Sequence, residues 1–190
     1  MDTTITEKES LRIIKEMIET SRNNFKDNGF FFLLWGWLAL IASLLHFILL
    51  YIGYEYHYLP WPVLMSAGAI VSVIAGIKIG KKARVMSHID KTIIYLWWGF
   101  FITIVILLFA ASAGKLPWTT STPLIIAMVG LGTFASGGAL KFPPLIIGGI
   151  AAWIISVITL FIPYTYVLLM TALSIIIAYL IPGYMLKSKS

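Results

Sequence analysis

The chain has 190 residues, 59% of them hydrophobic and only 12% charged, with a formal net charge of +6. Soluble domains carry about 25% charged residues, so this composition excludes a water-soluble globule, and its apolar excess excludes a disordered chain. A count of zero cysteines excludes a disulfide framework, thiolate metal sites and a cysteine nucleophile.

The first element in chain order is polar. Thr6 and Glu9 have the spacing of a capping box, in which each side chain satisfies an orphan amide of the first helical turn. Behind them, Leu11, Ile14, Ile18 and Phe25 fall near one helical face. Lys8, Arg12, Lys15, Glu16, Glu19 and Arg22 fall around the other. Residues 6–22 therefore read as an amphipathic helix that lies in the membrane interface, or that docks on a protein partner or a second copy of itself. Asn23, Asn24, Asp27, Asn28 and Gly29 read as its stop and linker. Glu7, Glu9, Glu16 and Glu19 dilute the positive face, which argues against nucleic acid as a partner.

Six apolar stretches follow, at 29–51, 61–80, 92–112, 123–140, 144–161 and 164–186. A helix needs about 20 residues to cross roughly 30 Å of hydrocarbon, and these continuous runs lack the alternation of a membrane barrel. Lys141, Pro143 and Pro144 mark a tight turn between the fourth and fifth. The expected fold is all-α: a polytopic membrane protein with six transmembrane helices in three hairpins plus an N-terminal cytoplasmic amphipathic helix. Its parts are a helix and linker at 1–28, a bundle at 29–186 and a tail at 187–190. Each hairpin turns at a proline beside an aromatic (Pro60-Trp61, Pro117-Trp118, Pro163-Tyr164) and returns to Lys81, Lys141 or Lys187. A tandem parallel repeat has this pattern, and so do the generic anchors of membrane interfaces.

An even number of spans puts both termini on one side, and every Lys and Arg except Lys115 falls there. The positive-inside rule makes that side cytoplasmic. No cleavable signal peptide is read before the first span, so the expected location is a bacterial-type plasma (inner) membrane, with the lipid bilayer as the first partner.

Lipid supplies no hydrophobic drive between helices, so close contact needs small residues. The expected packing stripes are Ser72, Gly76 and Gly80; Gly132 and Ser136; Gly148, Ala152 and Ser156; and Ser174, Ala178 and Pro182. They serve the bundle interior or, as the alternative, a homodimer face. Pro182-Gly183 should kink the last helix or end it.

Reactive groups are sparse within the spans. All eight acidic residues lie outside them, leaving His46 at depth and Lys78 near an end, from which it can snorkel. His46 reads as a neutral imidazole bonded to a neighbouring carbonyl or hydroxyl, with a proton relay as the alternative. In Tyr54-Glu55-Tyr56-His57-Tyr58, Glu55 and His57 are too few ligands for a metal, and an interfacial aromatic belt is the better account. Ser136 has no histidine in a later span to act as its base. No His-Glu-x-x-His or phosphate-cradling motif occurs. The expectation is no catalytic residue, no metal and no cofactor. Trp35, Trp37, Trp97, Trp98 and Trp153, with His46, either line an apolar pocket or serve in packing and belts.

As a whole, the chain resembles uncharacterised small bacterial six-span inner-membrane proteins that begin with a short charged helix and a Trp-Gly-Trp first span, here Trp35-Gly36-Trp37. That resemblance carries no functional motif. In size and topology the chain is also similar to the substrate-binding components of energy-coupling-factor transporters, although their Ala-x-x-x-Ala docking pattern is replaced here by Ala39 and Ala42. Two functions are therefore expected as alternatives. One is a non-enzymatic membrane protein acting through interaction, as a regulatory, scaffold or accessory subunit. The other is a small-molecule binding or transport component with a Trp-lined intramembrane pocket.

Overall fold

Long apolar runs without turn chemistry have one way to satisfy their amides away from water, which is to bond them within the segment. The structure, a computed structural model, describes residues 7–82 and 88–188, with side chains over 29–79 and 91–188. Every described element is helical: α1 Glu7–Tyr51, α2 Pro60–Lys82, α3 His88–Ser112, α4 Trp118–Ala139, α5 Pro143–Thr159, α6 Tyr164–Ile175, a π-helical turn Ile176–Leu180, and α7 Ile181–Ser188. Five stretches are long and apolar enough to cross a membrane: Gly29–Tyr51, Pro60–Ile79, Lys91–Ser112, Trp118–Ala139 and Tyr164–Ser188. By length and composition this is a multi-pass membrane protein. The fifth expected span is α5, which is apolar but has 17 residues. The amphipathic pattern of 6–22 and its linker fall on side chains outside the described residues.

Two prolines behave differently from the sequence expectation. The fourth helix begins at Trp118, with Pro117 as its N-cap, so Pro123 lies inside the helix and does not start it. Pro123 withholds one amide near the helix start, a loss that membrane helices tolerate where neighbours engage the freed groups. Its own carbonyl accepts a 2.8 Å hydrogen bond from Ser156 Oγ of α5. Pro182-Gly183 does not end the last helix either, since α7 runs on to Ser188. Pro182 lacks an N–H, and its ring would press on the carbonyl four residues back, at Ala178. The π-helical turn Ile176–Leu180 lies just before it and widens the backbone at that place.

Small residues set the seams. On α1, Gly29, Gly36 and Ser43 recur every seven residues and face α6–α7. A methyl built on Gly29 would lie 3.2 Å from the Lys187 nitrogen, and one on Gly36 would lie 2.8 Å from Leu180 Cδ2. Ser43 Oγ donates a 2.6 Å hydrogen bond to the Leu168 carbonyl. On α4, Pro123, Gly130 and Gly137 repeat the same spacing against α5, which runs antiparallel to it. A methyl on Gly130 would meet the Gly149 carbonyl at 2.9 Å, and one on Gly137 would meet the Ile146 nitrogen at 2.7 Å. Seven-residue spacing keeps one face turned to its neighbour over several turns.

α5 sits between α4 and the last helix. Gly149 faces α4, while a methyl on Gly148 would lie 2.9 Å from the Ile177 carbonyl and 3.0 Å from Ala178 Cα, inside the π-helical turn. Ala152 is fully buried, as are Ser136 and Ala178. Gly132 faces Trp97 of α3, where a methyl would lie 3.3 Å from the indole. The hydroxyls of Ser136, Ser174 and Ser72 are covered and have no hydrogen-bond partner among the described residues.

The stripe expected on α2 is used only in part. α2 meets α1 at Gly68, where a methyl would press on Leu38 and Trp35, and the Ser72 hydroxyl is still covered. One turn later Gly76 has nothing within 4 Å, so it packs on no described part of the chain. The covered face of α2 continues through Ser72, Ala75 and Ile79, and Gly76 lies off it. Gly80 lies outside the residues whose side chains are described.

The α4–α5 turn closes as a Schellman motif, with Phe142 N–H donating to the Gly137 carbonyl at 2.8 Å and Lys141 N–H to the Gly138 carbonyl at 3.2 Å. Lys141 takes the left-handed position, with φ 51°, where glycine is usual. Pro143 and Pro144 then open α5, where a missing amide removes no helical bond.

Candidate functional site

The polar cluster of the bundle gathers at the end that carries residues 52–59, the connection between α1 and α2. α1 delivers His46 there, one turn past Ser43. The turn returns the chain so that His57 lies beside His46 and α2 brings in Trp61. His46 is buried, with 4% of its surface exposed. Trp61 Nε1 donates to His46 Nδ1 at 3.0 Å, and His46 Nε2 lies 2.8 Å from His57 Nδ1. The two imidazole planes are nearly parallel, 11° apart, with ring centres 4.9 Å apart, so the rings lie edge to edge along the hydrogen bond. Tyr164, the first residue of α6, meets His46 edge-on at 6.2 Å. Three helices and the loop thus meet at one buried imidazole.

Donor chemistry fixes the tautomers. An indole N–H can only donate, so His46 Nδ1 must accept. The proton of a neutral His46 is then on Nε2, and it points at His57 Nδ1. His57 in turn holds its own proton on Nε2. The result is a one-way chain from Trp61 through His46 to the loop. Both ring nitrogens of His46 are engaged, by an indole and a second imidazole instead of the carbonyl or hydroxyl expected from sequence. Glu55, on the same loop, does not join the histidines in a group of three that could hold a metal ion among the described residues.

The tryptophans occupy several places. Trp97 packs edge-to-face on Phe32 at 5.8 Å, Phe100 at 5.0 Å and Tyr179 at 6.2 Å, linking α3 to α1 and the π-helical turn. Trp98, its neighbour, is 60% exposed. Trp37 is exposed and donates to the Tyr184 hydroxyl at 3.0 Å. Trp35 lies against α2 at Gly68. Trp153 stacks near Phe134 and donates to the Ala127 carbonyl at 3.0 Å, on the α4–α5 seam. Of the six residues considered for a pocket, Trp97 joins an aromatic cluster and His46 joins the polar cluster at the loop end.

Sequence reasoning missed the pairing of His46 with His57, and it missed Trp61 and Tyr164 as partners. The available signal was the eleven-residue separation of the two histidines across a hairpin turn, with an indole just beyond. No family model matches the chain, and no curated protein or solved structure matches it.

Proposed function

We propose that this is a six-span protein of a bacterial-type plasma membrane, with both termini cytoplasmic, that works by interaction as a regulatory, scaffold or accessory subunit. The observation that carries this reading is the uneven packing of the spans. Within α4 and within Tyr164–Ser188, half of the apolar window is buried inside the protein, against 6% for α2 and for α3. Those two helices present long apolar faces, including Ile74 and Ile77 on α2 and Trp98 and Phe109 on α3. Two helices so lightly held by their own chain are suited to receive a partner's helices.

The sixth crossing rests on α5. At ~1.5 Å per residue its 17 residues give about 25 Å, short of the usual ~30 Å but within the range that tilt and local thinning accommodate. Its contacts with α4 run from Gly137–Ile146 at one end to Pro123–Ser156 at the other, so it follows α4 along nearly its whole length.

Photo-crosslinking in cells tests the interaction reading. With a photoreactive residue at Ile74 or Phe109, discrete protein adducts are expected, and the same group at Ile147 of α5 serves as the comparison. Lipid adducts alone at both α2 and α3 would contradict the proposal. Loss of an adduct on deleting residues 1–22 would assign part of the contact to the N-terminal helix. The pocket reading has its own readout: a small aromatic ligand should raise the thermal midpoint, and Trp97→Ala should abolish that rise.

A further inference from the structure

We propose that Trp61, His46 and His57 form a pH-sensitive latch that holds the 52–59 loop onto α1 while both imidazoles are neutral and releases it when the pair takes up a proton. The inference goes beyond the interaction reading and does not depend on it.

The latch follows from donor and acceptor arithmetic. In the neutral state each of the two bonds has one donor and one acceptor: Trp61 N–H to His46 Nδ1, and His46 Nε2–H to His57 Nδ1. An added proton on His57 occupies Nδ1 and faces the N–H of His46. His46 can accept it only by moving its own hydrogen to Nδ1, where the indole N–H already points. No arrangement of the singly protonated pair satisfies both bonds. A second proton adds repulsion between two adjacent cations.

Among the described residues, the hydrogen-bond and ring contacts of the pair are with neutral groups. His46 is met by His57 from the loop, by Trp61 from α2 and by the neutral phenol of Tyr164 from α6. His57 is met by Tyr58 edge-on at 5.9 Å. Glu55 is exposed on the loop and forms no metal-holding group with the histidines. The loop's backbone bonds are local, from Gly53 to Leu50, Tyr54 to Leu49 and Leu59 to Tyr56. Its side-chain hydrogen bond to a helix, among the described residues, is the one through His57. Breaking that bond therefore frees the middle of the loop while its ends stay anchored.

The test is a nitroxide at position 55. The chain has no cysteine, so Glu55→Cys gives a single label site and removes the loop's carboxylate. Electron paramagnetic resonance of the labelled protein in nanodiscs is followed from about pH 8 to about pH 5, across the ordinary histidine range. The immobile spectrum should give way to a mobile one as the pH falls. With His57→Phe the label should be mobile at both ends of the titration. Trp61→Phe frees His46 Nδ1 to carry a hydrogen, so a protonated pair can keep its N–H···N bond, and the label should stay immobile at low pH. A labelled parent protein whose spectrum does not change with pH overturns the proposal. So does a Trp61→Phe variant that keeps the parent's full response.

Discussion

Gly148 and Gly76 are the same residue at similar spacing in two helices, yet their surroundings are opposite. A methyl on Gly148 would lie 2.9 Å from the Ile177 carbonyl and 3.0 Å from Ala178 Cα, backbone atoms that cannot step aside, whereas Gly76 has nothing within 4 Å. Gly148→Ala should cost about 1–3 kcal/mol through overpacking. Gly76→Ala should be neutral or gain up to ~1 kcal/mol from helix propensity. Thermal unfolding in detergent separates the two, with the midpoint lower for the first and unchanged or higher for the second. Lys141 offers a contrasting test. Its φ of 51° places a side chain where L-residues are strained, so Lys141→Gly should stabilise by about 1 kcal/mol and raise the midpoint. Both Gly148 and Gly76 were marked from spacing alone, and spacing identifies a face without saying whether a neighbour covers it. The helical class was legible because the apolar runs are continuous. The latch was not, because His57 reaches His46 through a turn whose geometry no periodicity records.

At the level of elements, the seams that hold the bundle are the seven-residue series Gly29, Gly36, Ser43 on α1 and Pro123, Gly130, Gly137 on α4. Four-residue stripes drew attention away from them, although α1 carries its series openly in the sequence. Two prolines lie inside helices for a related reason. Pro123 was read as the start of the fourth span and Pro182 as a kink or end of the last helix, but in a packed bundle a neighbouring hydroxyl engages the first and a π-helical turn accommodates the second. Hydroxyls that cross a seam should matter more than those that bond within their own helix. Ser43→Ala removes the bond to the Leu168 carbonyl between helices and should cost about 0.6 kcal/mol, rising to ~1.7. Ser121 bonds to the Pro117 carbonyl of its own helix start, so Ser121→Ala should cost less in the same unfolding measurement.

For the whole molecule, α1, α4, α5 and the α6–α7 helix form the packed centre, and α2 and α3 flank it with most of their apolar surface uncovered. Composition made the membrane class legible, and the one-sided placement of Lys and Arg supports the orientation proposed above. The number of crossings turns on α5, an apolar helix of 17 residues. Single cysteines added to this cysteine-free chain test it directly, using an impermeant thiol reagent on intact cells. Labels at positions 55, 113 and 161 should react from outside, and those at 86, 143 and 188 only after the membrane is opened. If 143 and 161 react from the same side, α5 does not cross and the six-span account is contradicted.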